Sequence, residues 1–192
     1  MHIDLDLDET LIYTQMHKPS ATKCDFKFTI AGITYYVSKR PGLDNFLNFV
    51  FGHFESVSVW TAATEEYAKI IMQHIFTNEQ RNSLLFIKTR ADNHISLLYP
   101  LYKPLPVLFK DNKAKAIKMR ASNTIMIDDR EEVMSANYGN GFLVPPYNGN
   151  KTDIVLYQLV IVLRIILDKG FRMGNFDRVL KLSDILGESP AK

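Results

Sequence analysis

Three aspartates alternate with apolar residues near the start of the chain, where residues 3–12 read Ile-Asp-Leu-Asp-Leu-Asp-Glu-Thr-Leu-Ile. Successive side chains point to opposite faces of an extended strand, so Asp4, Asp6 and Asp8 are expected on one face. Carboxylates gathered in this way repel one another unless a cation neutralises them. The pattern therefore predicts a site that binds a hard cation and attacks an electrophile.

Two of these residues, and one from later in the chain, have the chemistry needed for phosphoryl transfer. An aspartate such as Asp6 can attack phosphorus and form an aspartyl-phosphate. Asp8 lies two residues later on the same side, where it could protonate the leaving oxygen and then activate water. Asp129 would supply a further carboxylate for an octahedral Mg²⁺, which would also neutralise charge on the transferring group.

A phosphoryl-transfer site also needs groups that hold the phosphate. Thr61, followed by backbone amides at a predicted helix start, could bind phosphate oxygens. A lysine is needed to balance the remaining negative charge, and the candidates are Lys103 and Lys110. Asp128 and Asp129 are adjacent, and burying both requires a partner for each. A lysine for one and a metal for the other would meet that requirement.

Short apolar segments alternate with helical patterns along the chain, which predicts an α/β fold. The expected architecture is a Rossmann-like, open, mostly parallel sheet with flanking helices. Strands are predicted over 3–7, 26–30, 34–37, 57–60, 84–87, 124–127 and 142–144, and helices over 43–51, from Thr61 to about residue 75, and over 154–167. A small β-hairpin insertion is predicted over about 13–37, with no large cap domain, in a single domain of residues 1–182 followed by a flexible tail over 183–192.

The candidate residues share a position relative to the predicted strands. Asp6 with Asp8, Thr61, and Asp128 with Asp129 each lie at or just past the carboxyl end of a strand. In open parallel sheets, ligands bind beyond the carboxyl ends of the strands. We therefore expect these side chains to converge at one edge of the sheet.

The composition disfavours several other classes of protein. The chain has 192 residues, of which 46% are hydrophobic and 23% charged, and its net charge of +2 gives generic nucleic-acid binding little support. Cys24 is the single cysteine, which excludes an internal disulfide and fits a reducing, intracellular compartment. The apolar stretch 154–167 is too short to span a bilayer, so no membrane role is expected. It is predicted to be a core helix or, alternatively, a partner-binding helix that could form a dimer.

Five segments resemble, in order, the motifs of the haloacid dehalogenase superfamily. The resemblance is strongest to the branch of phosphatases that act on the C-terminal domain of RNA polymerase II. The segments are Asp6-Leu7-Asp8-Glu9-Thr10-Leu11, Lys39-Arg40-Pro41-Gly42-Leu43-Asp44-Asn45-Phe46-Leu47, Val59-Trp60-Thr61-Ala62, Tyr102-Lys103-Pro104-Leu105 and Asn123-Thr124-Ile125-Met126-Ile127-Asp128-Asp129-Arg130. One such motif would be weak evidence, but five in the family's order are specific.

The resemblance implies a role for each residue of the reaction centre. Asp6 would be the nucleophile, and Asp8 the general acid and base. Thr61 and Lys103 would orient the phosphate. Lys103 would also pair with Asp128, which supports the site.

A metal and a substrate surface are implied in the same way. Mg²⁺ would be bound by Asp6, by the backbone carbonyl of Asp8 and by Asp129. Substrate contacts are predicted for three further residues, Thr10, Arg40 and Ala62. For Arg40, an ion pair with an acid at the base of the hairpin is an equal alternative.

The sequence departs from the family pattern at Asp4, where an aliphatic residue is usual, at Trp60, where Phe is common, and over residues 81–100. Thr10 fixes the frame of the first motif and so assigns the catalytic roles to the aspartates after Asp4. We therefore expect Asp4 at a frayed strand start, without a role. Four aromatic residues are expected either to line a substrate groove or to pack along a half-buried hairpin: Phe26, Phe28, Tyr35 and Tyr36.

Together these features predict a Mg²⁺-dependent phosphatase that acts on phosphoserine or phosphothreonine in an extended peptide. A short hairpin leaves the site open to a protein segment, whereas a large cap would enclose a small metabolite. Two alternatives stay open at this point. One is the same chemistry on a nucleic-acid terminal phosphate or a small phosphate ester, and the other is a non-catalytic module that binds phosphate. The sequence does not distinguish nucleus from cytoplasm.

Overall fold

The structure, a computed structural model, describes residues 1–17, 24–92, 94–96, 99–170, 173 and 180–181. The strands are β1 His2–Leu5, β2 Ile12–Gln15, β3 Phe26–Ile30, β4 Ile33–Lys39, β5 Ser56–Trp60, β6 Ile87–Lys88, β7 His94–Ser96, β8 Tyr99–Tyr102, β9 Thr124–Asp128, β10 Gly141–Leu143 and β11 Leu180–Lys181. The α-helices are α1 Leu43–His53, α2 Glu65–Ile75, α3 Asn78–Ser83, α4 Leu105–Leu108, α5 Asn112–Ala116, α6 Glu131–Ser135 and α7 Val155–Asp168. The predicted tail over 183–192 lies outside the described residues.

The main sheet has the strand order β11-β10-β9-β1-β5-β6, and each of its neighbouring pairs is parallel. β1 lies between β5 and β9, so that Leu5 is beside both Val59 and Ile127. The predicted open, parallel α/β fold is therefore confirmed. Because β1, β5 and β9 are adjacent and parallel, the segments that follow them leave the sheet side by side.

The two faces of β1 contact two different apolar clusters. The larger cluster contains Ile3 and Leu5 together with apolar residues of α1, α2 and α7. The smaller cluster contains Trp60 of β5 and Met126 of β9 and is built mainly from α4, α5 and α6. Since side chains alternate along a strand, Asp4 and Asp6 point to the face opposite Ile3 and Leu5, which is the face with the smaller cluster.

The insertion after β1 is a three-stranded antiparallel sheet in the order β2-β4-β3. Ile30 pairs with Ile33 across a two-residue loop, in which Ala31 and Gly32 have φ of 47° and 80°. A two-residue loop with positive φ at both positions matches the twist of a β-hairpin. The predicted hairpin is thus present as β3–β4, and β2 adds the third strand.

Two element boundaries differ from the predictions. The predicted helix start at Thr61 is wrong: α2 begins at Glu65, and its N-cap is Thr64, whose side chain accepts a hydrogen bond from the backbone of Tyr67. The predicted strand over 84–87 overlaps the observed β6 only at Ile87. The chain nevertheless reaches the sheet edge within the predicted segment, because the Leu85 N–H donates to Val57 O at 2.9 Å and the Val59 N–H donates to Phe86 O at 3.0 Å.

The apolar helix α7 packs against α1 and buries one face in the larger core. Its buried residues are Val155, Leu156, Leu159, Val162, Leu163 and Ile166. The core-helix interpretation is therefore correct, while Tyr157 and Ile161 on the other side are exposed. Among the residues that the structure describes, no helix is long and apolar enough to cross a membrane.

Candidate active site

The predicted convergence at the carboxyl edge of the sheet is observed. Asp6 directly follows β1, and its backbone N–H donates to Ile127 O of β9 at 3.1 Å. One carboxylate oxygen from each of Asp6, Asp128 and Asp129 lies within 4.8 Å of the others. Residues that are more than a hundred positions apart in the sequence thus form one acidic group.

Lys103 lies inside this acidic group. Its ammonium Nζ is 2.5 Å from Asp6 Oδ1 and 2.8 Å from Asp128 Oδ2. The Lys103 side chain is 1% exposed, whereas Lys110, the other candidate, is exposed at the surface. The geometry therefore selects Lys103 as the lysine that balances the carboxylates.

The backbone around Lys103 is held by Asn137, a residue that the sequence reasoning missed. The buried Asn137 side chain donates from Nδ2 to Lys103 O at 2.9 Å and accepts at Oδ1 from the Leu105 N–H at 2.9 Å. It also donates to Val133 O at 2.8 Å. No local sequence signal marks Asn137, because the segment it fixes lies 34 residues away.

Burial and charge act in opposite directions on this ion cluster. Burial raises the pKa of the Asp6 carboxyl well above its usual range, and the charge of Lys103 opposes that shift. Burial by itself would lower the pKa of Lys103, but the charges of Asp6 and Asp128 outweigh it and raise that pKa. Lys103 is therefore a fixed positive charge over the working pH range.

The same residues fit a divalent cation. Asp128 already uses Oδ2 for Lys103 and Oδ1 for the backbone N–H of Arg130. Asp6 and Asp129 are the carboxylates that have oxygens left for a metal, while the Asp8 carboxylate is not part of this group. Burial, and then the charge of Asp128, raises the pKa of Asp129 to about 6. Hard carboxylate oxygens held together against their own repulsion are suitable ligands for Mg²⁺.

Thr10 supports the acidic group from the loop that follows β1. It is fully buried, and its Oγ1 donates to Asp129 Oδ1 at 3.1 Å. The substrate contact predicted for Thr10 stays a prediction. In the structure its hydroxyl fixes the orientation of Asp129.

Asp8 points away from the ion cluster and towards α2. Its Oδ1 accepts a hydrogen bond from the Tyr67 hydroxyl at 2.5 Å, and that hydroxyl is 2.7 Å from Thr14 Oγ1. Burial raises the pKa of Asp8, and the bond from Tyr67 partly offsets the shift. A raised pKa favours the protonated form of the carboxyl, which is the form that a general acid needs.

We predict that Tyr67→Phe lowers kcat about tenfold, because a general acid contributes roughly 10²–10⁴-fold and the variant removes only its orienting bond. Without that bond the pKa of Asp8 rises further, so the alkaline limb of the kcat profile, along which the general acid loses its proton, should move to higher pH. A pH series of kcat on an aryl phosphate measures both effects. Tyr157→Phe, at an exposed tyrosine on α7, is the matched control. An unchanged profile for Tyr67→Phe would show that Asp8 does not depend on this hydroxyl.

The loop after β5 lies beside Asp8 and is held by the neighbouring strand. Thr61 is buried, its N–H donates to Lys88 O at 2.9 Å, and its Oγ1 accepts from the Ala63 N–H at 3.1 Å. Arg90 Nε donates to Ala62 O at 2.8 Å. Arg90 was not found from the sequence, because it lies in the region that departs from the family pattern.

A cavity of about 670 Å³ opens next to Asp8. Its walls come from the insertion, from the loop after β5 and from α2, and they include Asp8, Thr14, Tyr35, Ala62, Tyr67 and Arg90. Of the four hairpin aromatics, Tyr35 lines this cavity and stacks on Phe28, with ring centroids 5.1 Å apart. Phe26 packs on His74 of α2, with ring centroids 4.2 Å apart.

Arg40 makes scaffold contacts in the structure, and the substrate contact predicted for it stays a prediction. It is 1% exposed and forms a bidentate pair with Asp153, through Nε and Nη2 at 2.9 Å each. Nη1 donates to Thr10 O at 3.0 Å and Nη2 to Pro145 O at 2.8 Å. The alternative of an ion pair is correct, although the acid lies far from the hairpin in the sequence.

The expectation that Asp4 lies at a frayed strand start is wrong. Asp4 lies in the central strand, is 1% exposed, and pairs in register with Ser58 of β5 and Met126 of β9. The prediction failed because three residues before Asp4 are enough to place β1 between two longer strands.

A comparison with models of protein families gives the same family as the five sequence motifs. A family model of the NLI interacting factor-like phosphatases matches residues 2–172. The match includes every residue of the site described above.

Two viral proteins are similar over most of their length. The chain is 28% identical to the CTD phosphatase-like protein 355R of Invertebrate iridescent virus 6, over 88% of this chain and 97% of that protein. It is 35% identical to the 355R protein of Invertebrate iridescent virus 3, over 80% of this chain and 91% of that protein.

A solved structure has the same fold. Fission yeast Fcp1, an RNA polymerase II CTD phosphatase, was solved with beryllium fluoride bound. It superposes with a TM-score of 0.58 at 21% identity, over 88% of this chain and 51% of Fcp1. The chain therefore spans about half the length of Fcp1.

Proposed function

Because the chain belongs to the NLI interacting factor-like phosphatase family of the haloacid dehalogenase superfamily, we propose that it is a Mg²⁺-dependent protein phosphatase. It would hydrolyse phosphoserine or phosphothreonine through an aspartyl-phosphate on Asp6. The substrate would be an extended phosphopeptide, such as a segment resembling the C-terminal repeats of RNA polymerase II. The observation that carries the proposal is Asp6 held against Lys103, with a second carboxyl, Asp8, beside an open cavity.

In the first step, a carboxylate oxygen of Asp6 attacks phosphorus and the bond from phosphorus to the ester oxygen breaks. Asp8 gives its proton to the leaving seryl or threonyl oxygen. Lys103 offsets the negative charge that Asp6 and the phosphoryl group bring together.

In the second step, a water oxygen attacks the same phosphorus and Asp8 takes a proton from that water. The bond between phosphorus and Asp6 breaks, which releases phosphate and returns both carboxyl groups to their starting protonation states. Tyr67 holds Asp8 in place through both transfers.

Asp6, Asp129 and the backbone carbonyl of Asp8 would hold Mg²⁺. When bound, the cation supplies positive charge that neutralises the phosphoryl oxygens. The chain's own contribution is to present these oxygens together, with Thr10 fixing Asp129.

The cavity beside Asp8 supports a peptide as substrate. It is walled by a short three-stranded insertion and by α2, so one side stays accessible to an extended chain. Tyr35 and Tyr67 provide apolar surface, and Arg90 provides positive charge at the same opening.

The test compares kcat/KM for a phosphoserine peptide, a phosphothreonine peptide, a 3′-phosphorylated oligonucleotide and a nucleotide monophosphate, each with Mg²⁺ or with EDTA. We expect Mg²⁺-dependent turnover that is fastest on the peptides. Faster turnover of the oligonucleotide or the nucleotide would show that the proposed substrate class is wrong, while the proposed reaction would stand. Absence of turnover on all four, and on an aryl phosphate, would indicate a binding module.

The raised pKa of Asp129 predicts how metal-free stability depends on pH. Its folded-state pKa of about 6 lies above the usual 3.8, so the folded protein retains a proton that the unfolded chain loses. This term destabilises the metal-free fold as pH rises from about 4 to about 6. Asp129→Asn, which stays neutral, should therefore match the wild-type Tm near pH 4 and exceed it near pH 7, by about 2–4 °C per kcal/mol of repulsion relieved.

Thermal unfolding in EDTA at a series of pH values checks this prediction. Mg²⁺ should raise the Tm of the wild type near pH 7 but leave Asp129→Asn nearly unchanged, because a ligand stabilises only the fold that binds it. A Tm difference that does not grow with pH would contradict the assignment of Asp129.

A further inference from the structure

Asp4 and Ser58 are buried polar residues that the reaction described above does not use. The Asp4 side chain is 1% exposed, and Ser58 is fully buried. Both carboxylate oxygens of Asp4 and the hydroxyl of Ser58 lack a hydrogen-bond partner among the described protein atoms. More than nine in ten buried polar groups in proteins are hydrogen-bonded, so three such atoms in one place need an explanation.

These atoms belong to one row of the sheet. Asp4 of β1 and Ser58 of β5 are register partners, and their side chains share the face that carries Met126 of β9. Two residues further along the same face of the chain is Asp6, which contacts Lys103. The unpartnered oxygens are therefore one strand repeat away from the reaction centre.

Lys103 has hydrogen-bonding capacity left. An ammonium group has three N–H donors, and contacts are made here to Asp6 and Asp128. Asp4 lies two residues before Asp6 on the same face of the chain, so its unpartnered oxygens lie on the side of the sheet where the ammonium contacts Asp6.

We propose that a buried water molecule lies between Asp4, Ser58 and Lys103, and that Asp4 is through it a positioning residue for Lys103. Buried waters typically make about three hydrogen bonds to groups that otherwise lack partners. This water would accept from the third N–H of Lys103 and donate to Asp4, while the Ser58 hydroxyl completes its coordination. A metal cation is a poorer occupant, because the ammonium of Lys103 would repel it.

The proposal gives Asp4 a consequence for the reaction, and this part rests on the proposed function. Asp6 and Asp128 pull the ammonium from two directions, and the water would hold it from a third. Without the water, Lys103 keeps its ion pairs but loses a fixed position over Asp6. The cost should therefore appear in kcat, with KM for the phosphopeptide little changed.

The structural arm of the test is a crystal structure of the wild-type protein at a resolution that shows ordered water. We expect a water within hydrogen-bond distance of Asp4, Ser58 and Lys103, and none there in Asp4→Leu. If the wild-type site is dry, the proposal is overturned whether or not the protein is a phosphatase. This arm does not depend on activity, so its result is separate from that of the proposed function.

The kinetic arm compares Asp4→Leu, Asp4→Asn and Ser58→Ala, with Ser56→Ala as the matched control. Ser56 lies on the same strand and face as Ser58 but one strand repeat further from Lys103. We expect kcat to fall about tenfold for Asp4→Leu, since small misplacements in an active site can cost up to about 10²-fold. Because asparagine can still bind the water, the kcat of Asp4→Asn should be within about threefold of the wild-type value.

The kcat of Ser58→Ala should be about threefold below that of the wild type, and the kcat of Ser56→Ala should be unchanged, because only Ser58→Ala loses a bond to the water. Ser58→Ala removes only a hydroxyl group, so this variant keeps the test decisive if Asp4→Leu does not fold. An Asn variant as impaired as the Leu variant would overturn the role of the water. Equal effects of the two serine variants would likewise assign Asp4 and Ser58 to packing alone.

Discussion

Asp6→Asn should lower kcat by at least about 10⁴-fold, which is the largest effect we expect from a single substitution in this protein. The amide of asparagine does not attack phosphorus, so neither the phosphoenzyme nor its hydrolysis can follow. The fold should survive, because Lys103 keeps its pair with Asp128 and one buried carboxylate fewer repels Asp129. The Tm should therefore change little or rise slightly.

Activity on an aryl phosphate and covalent labelling by a radioactive phosphopeptide, quenched in acid, measure this prediction together. The wild type should retain label in acid, and Asp6→Asn should retain none. Asp8→Asn should take up label slowly and also release it slowly, because it keeps the nucleophile but loses the general acid of the first step and the general base of the second. Asp168→Asn, an exposed aspartate at the end of α7, is the matched control and should behave as the wild type. Label on Asp6→Asn would identify a different nucleophile.

Lys103→Met should cause the largest combined loss of stability and activity. The substitution keeps a long unbranched side chain but leaves Asp6 and Asp128 buried without their partner. Breaking a buried ion pair from one side typically costs about 3–5 kcal/mol. We expect a Tm lower by roughly 10 °C and kcat lower by about 10²–10³-fold, as for other groups that stabilise developing charge.

A second substitution separates the two effects. Adding Asp128→Asn to Lys103→Met removes one of the orphaned charges and should recover part of the lost Tm without recovering kcat. Lys110→Met is the matched control at an exposed lysine and should stay within about 0.5 kcal/mol of the wild type. If the double variant is no more stable than the single one, the ion cluster does not account for the destabilisation.

The elements were predictable where the sequence pattern is local. The strand over 124–127 and the apolar helix over 154–167 appear within a residue or two of their predicted bounds. The start of α2 was misplaced because Thr61 and Thr64 are both suitable caps. The choice between them depends on the ladder bond from Thr61 to Lys88, which the sequence does not reveal.

The sequence alone was sufficient to predict which strand-end carboxylates meet. Asp6, Asp128 and Asp129 lie at or just past the ends of apolar strands, and the carboxyl ends of adjacent parallel strands must lie at one edge. That deduction needs only side-chain periodicity and a parallel arrangement of the strands. It does not need any side-chain packing. The carboxylate of Asp8, which was predicted with them, is directed towards Tyr67 instead.

The tertiary structure decided everything that depends on which distant residues fill the space around those carboxylates. It assigned Arg40 to Asp153, Thr10 to Asp129 and Tyr67 to Asp8. It also buried Asp4, which its position near the chain terminus had suggested was exposed. A sequence pattern specifies the face on which a side chain lies, but its partner is set by packing between elements that are far apart along the chain.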